Sequence, residues 1–150
     1  MIGTTLVCLA LNAYWEARNQ DYNGMIAVNQ VVMNRVASDI YPDTPCDVIF
    51  QGPHRKSWRD ETVLYPVRDR CQFSWYCDGK SDEVSKEDQE EREAWFRAVK
   101  SSWEVLDGSY DDLVDGALWY HADYVDPDWN KNKEITSIIG DHIFYKEPDQ

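Results

Sequence analysis

The sequence predicts an α+β fold, mainly helical, with a small antiparallel sheet near its C-terminal end. Three observations carry this expectation. Apolar residues recur at helical spacing in two successive segments near the start, and again in a segment ending near residue 107. The last third instead carries β-branched and aromatic residues in short runs, with Gly140-Asp141 placed as a hairpin turn. Helices first and strands later is the order of an α+β domain, not of alternating βαβ units. With 150 residues and 43% apolar content the chain can bury one proper core, and residues 1–150 read as a single domain.

Residues 4–19 read as the first helix, with Leu6, Leu9, Ala10, Ala13 and Ala17 on its apolar face. Turn residues fill positions 19–24. The second helix, over 24–37, carries Ile26, Val28, Val31, Val32, Met33 and Val36 almost all round, as a buried helix does. Pro42 and Pro45 break the chain, and the short apolar run Val48-Ile49-Phe50 anchors the loop against the core. Residues 52–82 read as irregular, polar and aromatic; a loop this long in a compact domain is usually functional. Ser85 and Asp88 suggest a capping box, opening a helix that stops at Gly108 and buries Trp95, Val99, Trp103 and Leu106. Glu87, Glu90, Glu91 and Glu93 suit the positive end of that helix. Two stretches near the end, 117–121 and 134–146, read as strand-forming. No internal repeat, low-complexity stretch or linker divides the chain.

A net charge of −13 argues against nucleic acid as a partner, since no basic stretch is present to displace counterions. An anionic membrane is disfavoured for the same reason. No segment approaches the roughly 18–20 apolar residues that span a bilayer, so no membrane insertion is expected. The apolar stretch 4–11 is short, lacks a preceding positive charge, and runs into the residues to which chemistry is assigned. The expectation is synthesis in a cytoplasm without a signal peptide. Cys71 and Cys77 flank a five-residue loop and could form a disulfide; free buried thiols at Cys8, Cys46, Cys71 and Cys77 are the open alternative. Zinc would want a closer pair, and no metal or cofactor is expected.

Glu16 lies in Ala13-Tyr14-Trp15-Glu16-Ala17-Arg18, on a helix that is otherwise mostly apolar. A carboxyl group held against an apolar wall has its charged form destabilised, which raises its pKa toward the range of a general acid. Cleavage of a glycosidic bond needs such a group to protonate the leaving oxygen. The plain alternative is a surface glutamate paired with Arg18 or capped by Asn19.

The order of motifs bears on that choice. Glu16-Ala17-Arg18, a turn at Gly24 and Val32-Met33-Asn34-Arg35-Val36 are followed by Val48-Ile49-Phe50-Gln51 and Cys71-Gln72-Phe73-Ser74-Trp75. The close is Gly116-Ala117-Leu118-Trp119-Tyr120-His121, then Ile139-Gly140-Asp141-His142-Ile143-Phe144-Tyr145-Lys146. Together, over roughly residues 6–146, these resemble the SleB-type cell-wall hydrolases, which include spore-cortex-lytic enzymes and related phage proteins. The resemblance implies a lysozyme-related α+β fold and lytic transglycosylation of peptidoglycan. By this resemblance Glu16 would take the position of the family's single catalytic glutamate. It would protonate the oxygen between N-acetylmuramic acid and N-acetylglucosamine, then accept the proton of the muramic C6 hydroxyl as a 1,6-anhydro ring closes.

Gln72, Ser74 and Tyr120 can hydrogen-bond hydroxyl and acetamido groups, while Phe73, Trp75 or Tyr145 can stack on a sugar. Phe73, Phe144 and Trp119 also suit a core. Tyr120 and Tyr145 are the candidates for orienting Glu16. His121 and His142 read as hydrogen-bonded residues near the cleft, and Asn34 and Arg35 as ties for loops. Three other readings stand beside this one. A two-carboxylate muramidase would draw its second acid from Asp60, Glu61, Asp78 or Asp123. A wall-binding virion component would lack catalysis. A Cys–His amidase or peptidase would use Cys71 or Cys77. The expected setting is a monomeric phage endolysin that meets the peptidoglycan glycan strand through a lesion made by a holin-type partner. The acidic chain would then work on an acidic wall, which a salty medium would screen.

Overall fold

The computed structural model describes residues 2–85 and 87–149. Its elements are α1 (Ile2–Ala17), α2 (Tyr22–Val36), α3 (Pro45–Ile49), β1 (His54–Lys56), β2 (Leu64–Pro66), α4 (Gln89–Asp107), β3 (Trp119–Ala122), β4 (Glu134–Ile139) and β5 (His142–Lys146). Two short 3-10 turns, Ser74–Tyr76 and Asp128–Asn132, lie between them. This is the expected α+β class, with helices α1, α2 and α4 packed on one another and a three-stranded antiparallel sheet in the order β3-β5-β4. Among the described residues no helix is long and apolar enough to cross a membrane.

Helix α2 is buried as its all-round apolar sequence requires: Met25, Ile26, Ala27, Val28, Val31 and Val32 are inaccessible. Asp21 starts it, its carboxylate accepting from the Gly24 amide at 3.1 Å. Between the helices runs a polar seam with its groups paired. Asn29 Nδ2 donates to Leu9 O (3.1 Å) and Ser102 Oγ (3.0 Å), Asn12 Nδ2 donates to Asn29 Oδ1 (3.4 Å), and Trp75 Nε1 donates to Asn12 Oδ1 (3.2 Å). Buried amides are costly unless paired. The seam therefore fixes the register of three helices and ties the Ser74–Tyr76 turn to them.

Helix α4 departs from its expected face. Its buried residues are Ala94, Ala98, Ser101 and Ser102, whereas Trp95, Val99 and Leu106 are only half-buried and Trp103 is 52% exposed. Close approach to both α1 and α2 puts small side chains on the contact line and pushes large ones to its flanks. The helix also begins later than the Ser85 cap implied. Asp88 is the N-cap, its carboxylate accepting from Glu90 N at 2.8 Å, while Val84, before it, packs against the core. Gly108, left-handed at φ 72°, ends the helix where expected. Glu91 does more than suit the dipole: it accepts from Arg18 Nη1 (3.2 Å) and from the Tyr14 hydroxyl, pinning α4 to the end of α1.

The segment read as irregular over 52–82 contains the antiparallel hairpin β1–β2, with Arg55 opposite Tyr65 and Lys56 opposite Leu64. The strands are three residues each and lack apolar alternation, so periodicity could not reveal them. All four cysteines are paired, as Cys8–Cys46 and Cys71–Cys77. The first pair joins residues 38 apart in sequence, which no local spacing suggests. At the other end, the Gly140-Asp141 turn joins β4 to β5 as predicted. Gly140 has φ 56°, and a Cβ there would collide with Gln20 Oε1.

Candidate active site

Glu16 sits in the last turn of α1, at the foot of an open cleft of about 620 Å³. Local sequence accounts for its placement. The Ala13, Tyr14 and Ala17 positions around it face the core, and the helix stops one residue later. The opposite wall is positioned from α2: Asn34 Nδ2 donates to Ala117 O (2.9 Å) and Arg35 Nε to Leu118 O (2.8 Å). These two bonds hold the chain just before β3 and set Tyr120 beside Glu16. Asn34 and Arg35 thus tie a loop, as expected.

Burial pushes the Glu16 carboxyl from 4.5 up to about 7, because its charged form loses hydration among protein atoms. Tyr120 and then Arg35 pull in the other direction, so the acid stays within reach of neutral pH. Glu16 is partly accessible from the cleft, and that is what a proton donor to a bound ligand needs. Its neighbours carry unspent capacity. The Tyr120 hydroxyl and Arg35 Nη1 are buried atoms without a well-formed hydrogen bond, and burial together with the Glu16 field holds the Tyr120 phenol well above its ordinary range. Arg35 is also stacked near Tyr41 (4.9 Å) and Phe73 (5.5 Å). Arg18, the partner proposed by the plain reading of Glu16, is engaged by Glu91 instead.

Gln72, Phe73, Ser74, Tyr120, His121 and His142 all line the same cleft as Glu16. They do so from three parts of the chain. Gln72 is held by its amide bonding to Gln51 O (3.0 Å), and the seam through Trp75 holds Ser74. His121 has both ring nitrogens occupied. Nδ1 donates to Ala122 O (2.7 Å), which leaves Nε2 to accept from the Tyr145 hydroxyl (2.8 Å). His142 differs: its Nδ1 is buried without a partner, and burial lowers its pKa. Tyr120 meets its ring edge-on at 5.2 Å.

Tyr145 does not line the cleft. It lies behind His121, its ring stacked on that imidazole at 5.2 Å and its hydroxyl 2.8 Å from His121 Nε2. Phe73, Trp75 and Tyr145, the rings read as sugar platforms, are 3%, 6% and 5% exposed and give their area to the interior. The exposed ring at the cleft is Tyr124, 84% accessible, on the loop after β3. Sequence reasoning missed it, although an aromatic within the polar stretch Asp123–Asp128 was a usable signal. Arg35 was also missed as a cleft residue. Of Asp60, Glu61, Asp78 and Asp123 none lines the cleft; the second acid there is Asp141, held by Gln20 through bonds of 3.1 and 3.0 Å. The disulfides leave no thiol for a Cys–His pair, because a bonded sulfur cannot form the attacking thiolate.

Fold and cleft together define a class, an α+β domain with a protonatable acid at the foot of an open groove. Residues 19–145 match the Cell Wall Hydrolase family model, and the chain belongs to that family. A spore cortex-lytic enzyme of Oceanobacillus iheyensis is 44% identical over 139 residues, covering 92% of this chain and 40% of that protein. The chain thus spans less than half the length of this curated relative. The catalytic domain of the germination-specific lytic transglycosylase SleB from Bacillus anthracis superposes with a TM-score of 0.65 at 26% identity, over 95% of this chain and 94% of that one. The catalytic domain of Bacillus cereus SleB, at 23% identity and a TM-score of 0.53, covers 95% of this chain and 91% of its own, and shows the shared fold.

Proposed function

We propose that the chain cleaves peptidoglycan glycan strands by lytic transglycosylation, with Glu16 as both acid and base. The observation that carries this is one carboxyl at the foot of the cleft with its pKa raised to about 7. In its protonated form Glu16 gives its proton to the glycosidic oxygen as the C1–O bond of N-acetylmuramic acid breaks. The resulting carboxylate takes the proton of the C6 hydroxyl as the new C1–O6 bond forms. Atoms balance without water, and the enzyme returns to its starting state. A buried carboxylate beside Tyr120 also meets the oxocarbenium-like charge with little solvent screening.

Mass spectrometry of fragments released from purified peptidoglycan tests this. Ends carrying 1,6-anhydro-muramic acid from the wild type, and none from Glu16→Gln, are expected. Reducing muramic ends would refute transglycosylation and favour the second reading, a two-carboxylate hydrolase. That reading has one specific observation behind it, Asp141 in the same cleft, and predicts that Asp141→Asn is as damaging as Glu16→Gln. A wall-binding module without catalysis gives no reason for a perturbed acid at the groove floor. The narrower role, a monomeric phage lysis enzyme released by a holin-type partner, is a separate claim. Two disulfides suit work in an oxidising setting outside the cytoplasm, where either a secreted or a phage enzyme would act. Host lysis on co-expression with a holin, and none without it, is the outcome this role predicts.

A further inference from the structure

The hairpin β1–β2 is unlike the rest of the molecule. Residues 54–70 hold five basic side chains against three acidic ones, in a chain with 15 Lys and Arg against 28 Asp and Glu. Arg55, Lys56, Arg59 and Arg70 are exposed and have no carboxylate partner among the described residues. Exposed apolar groups stand among them: Trp58 is 85% accessible, Leu64 61% and Tyr65 45%. Arg55 faces Tyr65 across the strands, Lys56 faces Leu64, and the Arg59 guanidinium lies 4.9 Å from the Trp58 ring centre. Neither strand buries a residue, so these side chains do nothing for the core.

A bare two-stranded hairpin is marginal in water. This one is nevertheless firmly rooted. Val67 N donates to Pro53 O (2.9 Å), Asp69 N to Cys77 O (2.8 Å), and His54 Nε2 contacts the Tyr76 hydroxyl at 3.0 Å. At the base Gly52, with φ 148°, lets Cys71 approach so closely that a Cβ would stand 3.0 Å from its Cα. The Cys71–Cys77 disulfide closes the root. Gln72 and Ser74, a little further along the chain, line the cleft. An arm without a core, rooted in the segment that leads to the cleft-lining Gln72 and Ser74, is arranged to meet something from solvent.

We propose that this hairpin is a second binding site, which grips acidic peptide branches of the same polymer whose glycan strand occupies the cleft. The proposal rests on the glycan-cleaving reading above. Guanidinium groups pair with carboxylates through parallel hydrogen bonds, and flat rings cover the apolar parts of a short peptide. A root that runs directly into the cleft-lining Gln72 and Ser74 favours an occupant continuous with the substrate. The tip disfavours a bilayer: Asp60 and Glu61 stand there, and Thr62 bonds hold the Asp60 carboxyl below its ordinary range, so docking the tip on anionic lipid would press carboxylates against phosphate. The arm also explains how an acidic protein approaches an acidic wall, by presenting its basic residues first.

The test is co-sedimentation with insoluble peptidoglycan in a Glu16→Gln background, so that the polymer is not consumed. Intact material is compared with the same glycan stripped of peptides by an amidase; because stripping frees the strands from their cross-links, both are coupled to beads so that each can be pelleted. Paired Arg55→Glu and Arg59→Glu substitutions are expected to weaken binding to intact material by about tenfold and to leave binding to stripped glycan unchanged. The neutral pair Arg55→Gln and Arg59→Gln should give a smaller loss in the same direction, and unchanged melting would show that both variants fold. No loss on intact material, or equal loss on both, overturns the proposal. So does an arm-dependent pelleting with phosphatidylglycerol vesicles while peptidoglycan binding stays unchanged. Because the readout is binding, a failure here alongside normal anhydro products removes the arm and leaves the reaction standing.

Discussion

The helical floor of the cleft and the β1–β2 hairpin are opposites in what surrounds them. On the floor, burial strips hydration from Glu16, and Arg35 Nη1 and the Tyr120 hydroxyl beside it are buried without a well-formed hydrogen bond. On the hairpin, charged and aromatic groups stand in water and no side chain is buried in either strand. Desolvation can shift a proton affinity only in the first setting; solvated charges can recruit a large anionic partner only from the second. On the proposed reading, chemistry and attachment ask for opposite environments, and the arm would supply the second in the same chain that supplies the first.

The largest expected effect breaks the floor. Replacing Glu16 by Gln should lower turnover by about 10²–10⁴-fold, the usual contribution of a positioned acid. The same change should act on stability with a definite sign. The folded protein holds the Glu16 proton up to about pH 7 while an ordinary glutamate releases it near 4.5, so folding takes up a proton between those values. Wild-type stability therefore falls as pH rises through this window, by about 3 kcal/mol in all, and then levels off. Glu16→Gln should be the more stable protein at pH 8 and should lose that slope, as denaturant melts across pH will show.

The disulfides sharpen the comparison. Cys8–Cys46 closes 38 residues and belongs to the helical body, whereas Cys71–Cys77 closes six at the root of the arm. Chain entropy alone makes the first contribute about 4 kcal/mol and the second about 2 kcal/mol. Serine pairs at each should rank in that order by melting temperature, and a reversed order would mean that the arm's root supports the whole fold. A smaller loss belongs to the polar seam. Asn12→Ala strands the Trp75 N–H and leaves Asn29 Oδ1 without its donor, costing about 1–3 kcal/mol, with some loss of activity because the Ser74–Tyr76 turn shifts. The smallest effect is expected at Tyr120. Since Tyr120 lowers the Glu16 pKa, Tyr120→Phe should move the alkaline limb of kcat/KM to higher pH, with little change in melting temperature.

Much of this molecule is legible in its sequence, for reasons that differ between elements. Helix α2 announces itself because Ile26, Val28, Val31 and Val32 leave no polar face. The β4–β5 turn is legible because Gly140 serves both a positive φ and a close approach. Helix α4 lies one residue out of phase with its apolar pattern: hydrophobicity favours Trp95 and Trp103, but packing between two helices selects Ala94, Ala98 and Ser102. Within the cleft, motifs name the segments and cannot say which ring faces solvent. Phe73 and Tyr145 go inward and Tyr124 outward because neighbours distant in sequence decide that. Arg35 reads as a helix-end tie and serves as one; its influence on Glu16 arises only when α1 and α2 are brought together. The hairpin is hidden because its strands are only three residues long and its basic residues lie in β1, in the turn and after β2, interleaved with apolar and acidic groups.

The most direct test of the account is the titration of Glu16 itself, followed by carboxyl ¹³C NMR with Glu16→Gln assigning the resonance. A midpoint near 7 is the predicted result and would establish a proton held ready for a leaving sugar oxygen. A midpoint near the ordinary 4.5 would contradict it, because a carboxylate already ionised at working pH has no proton to give.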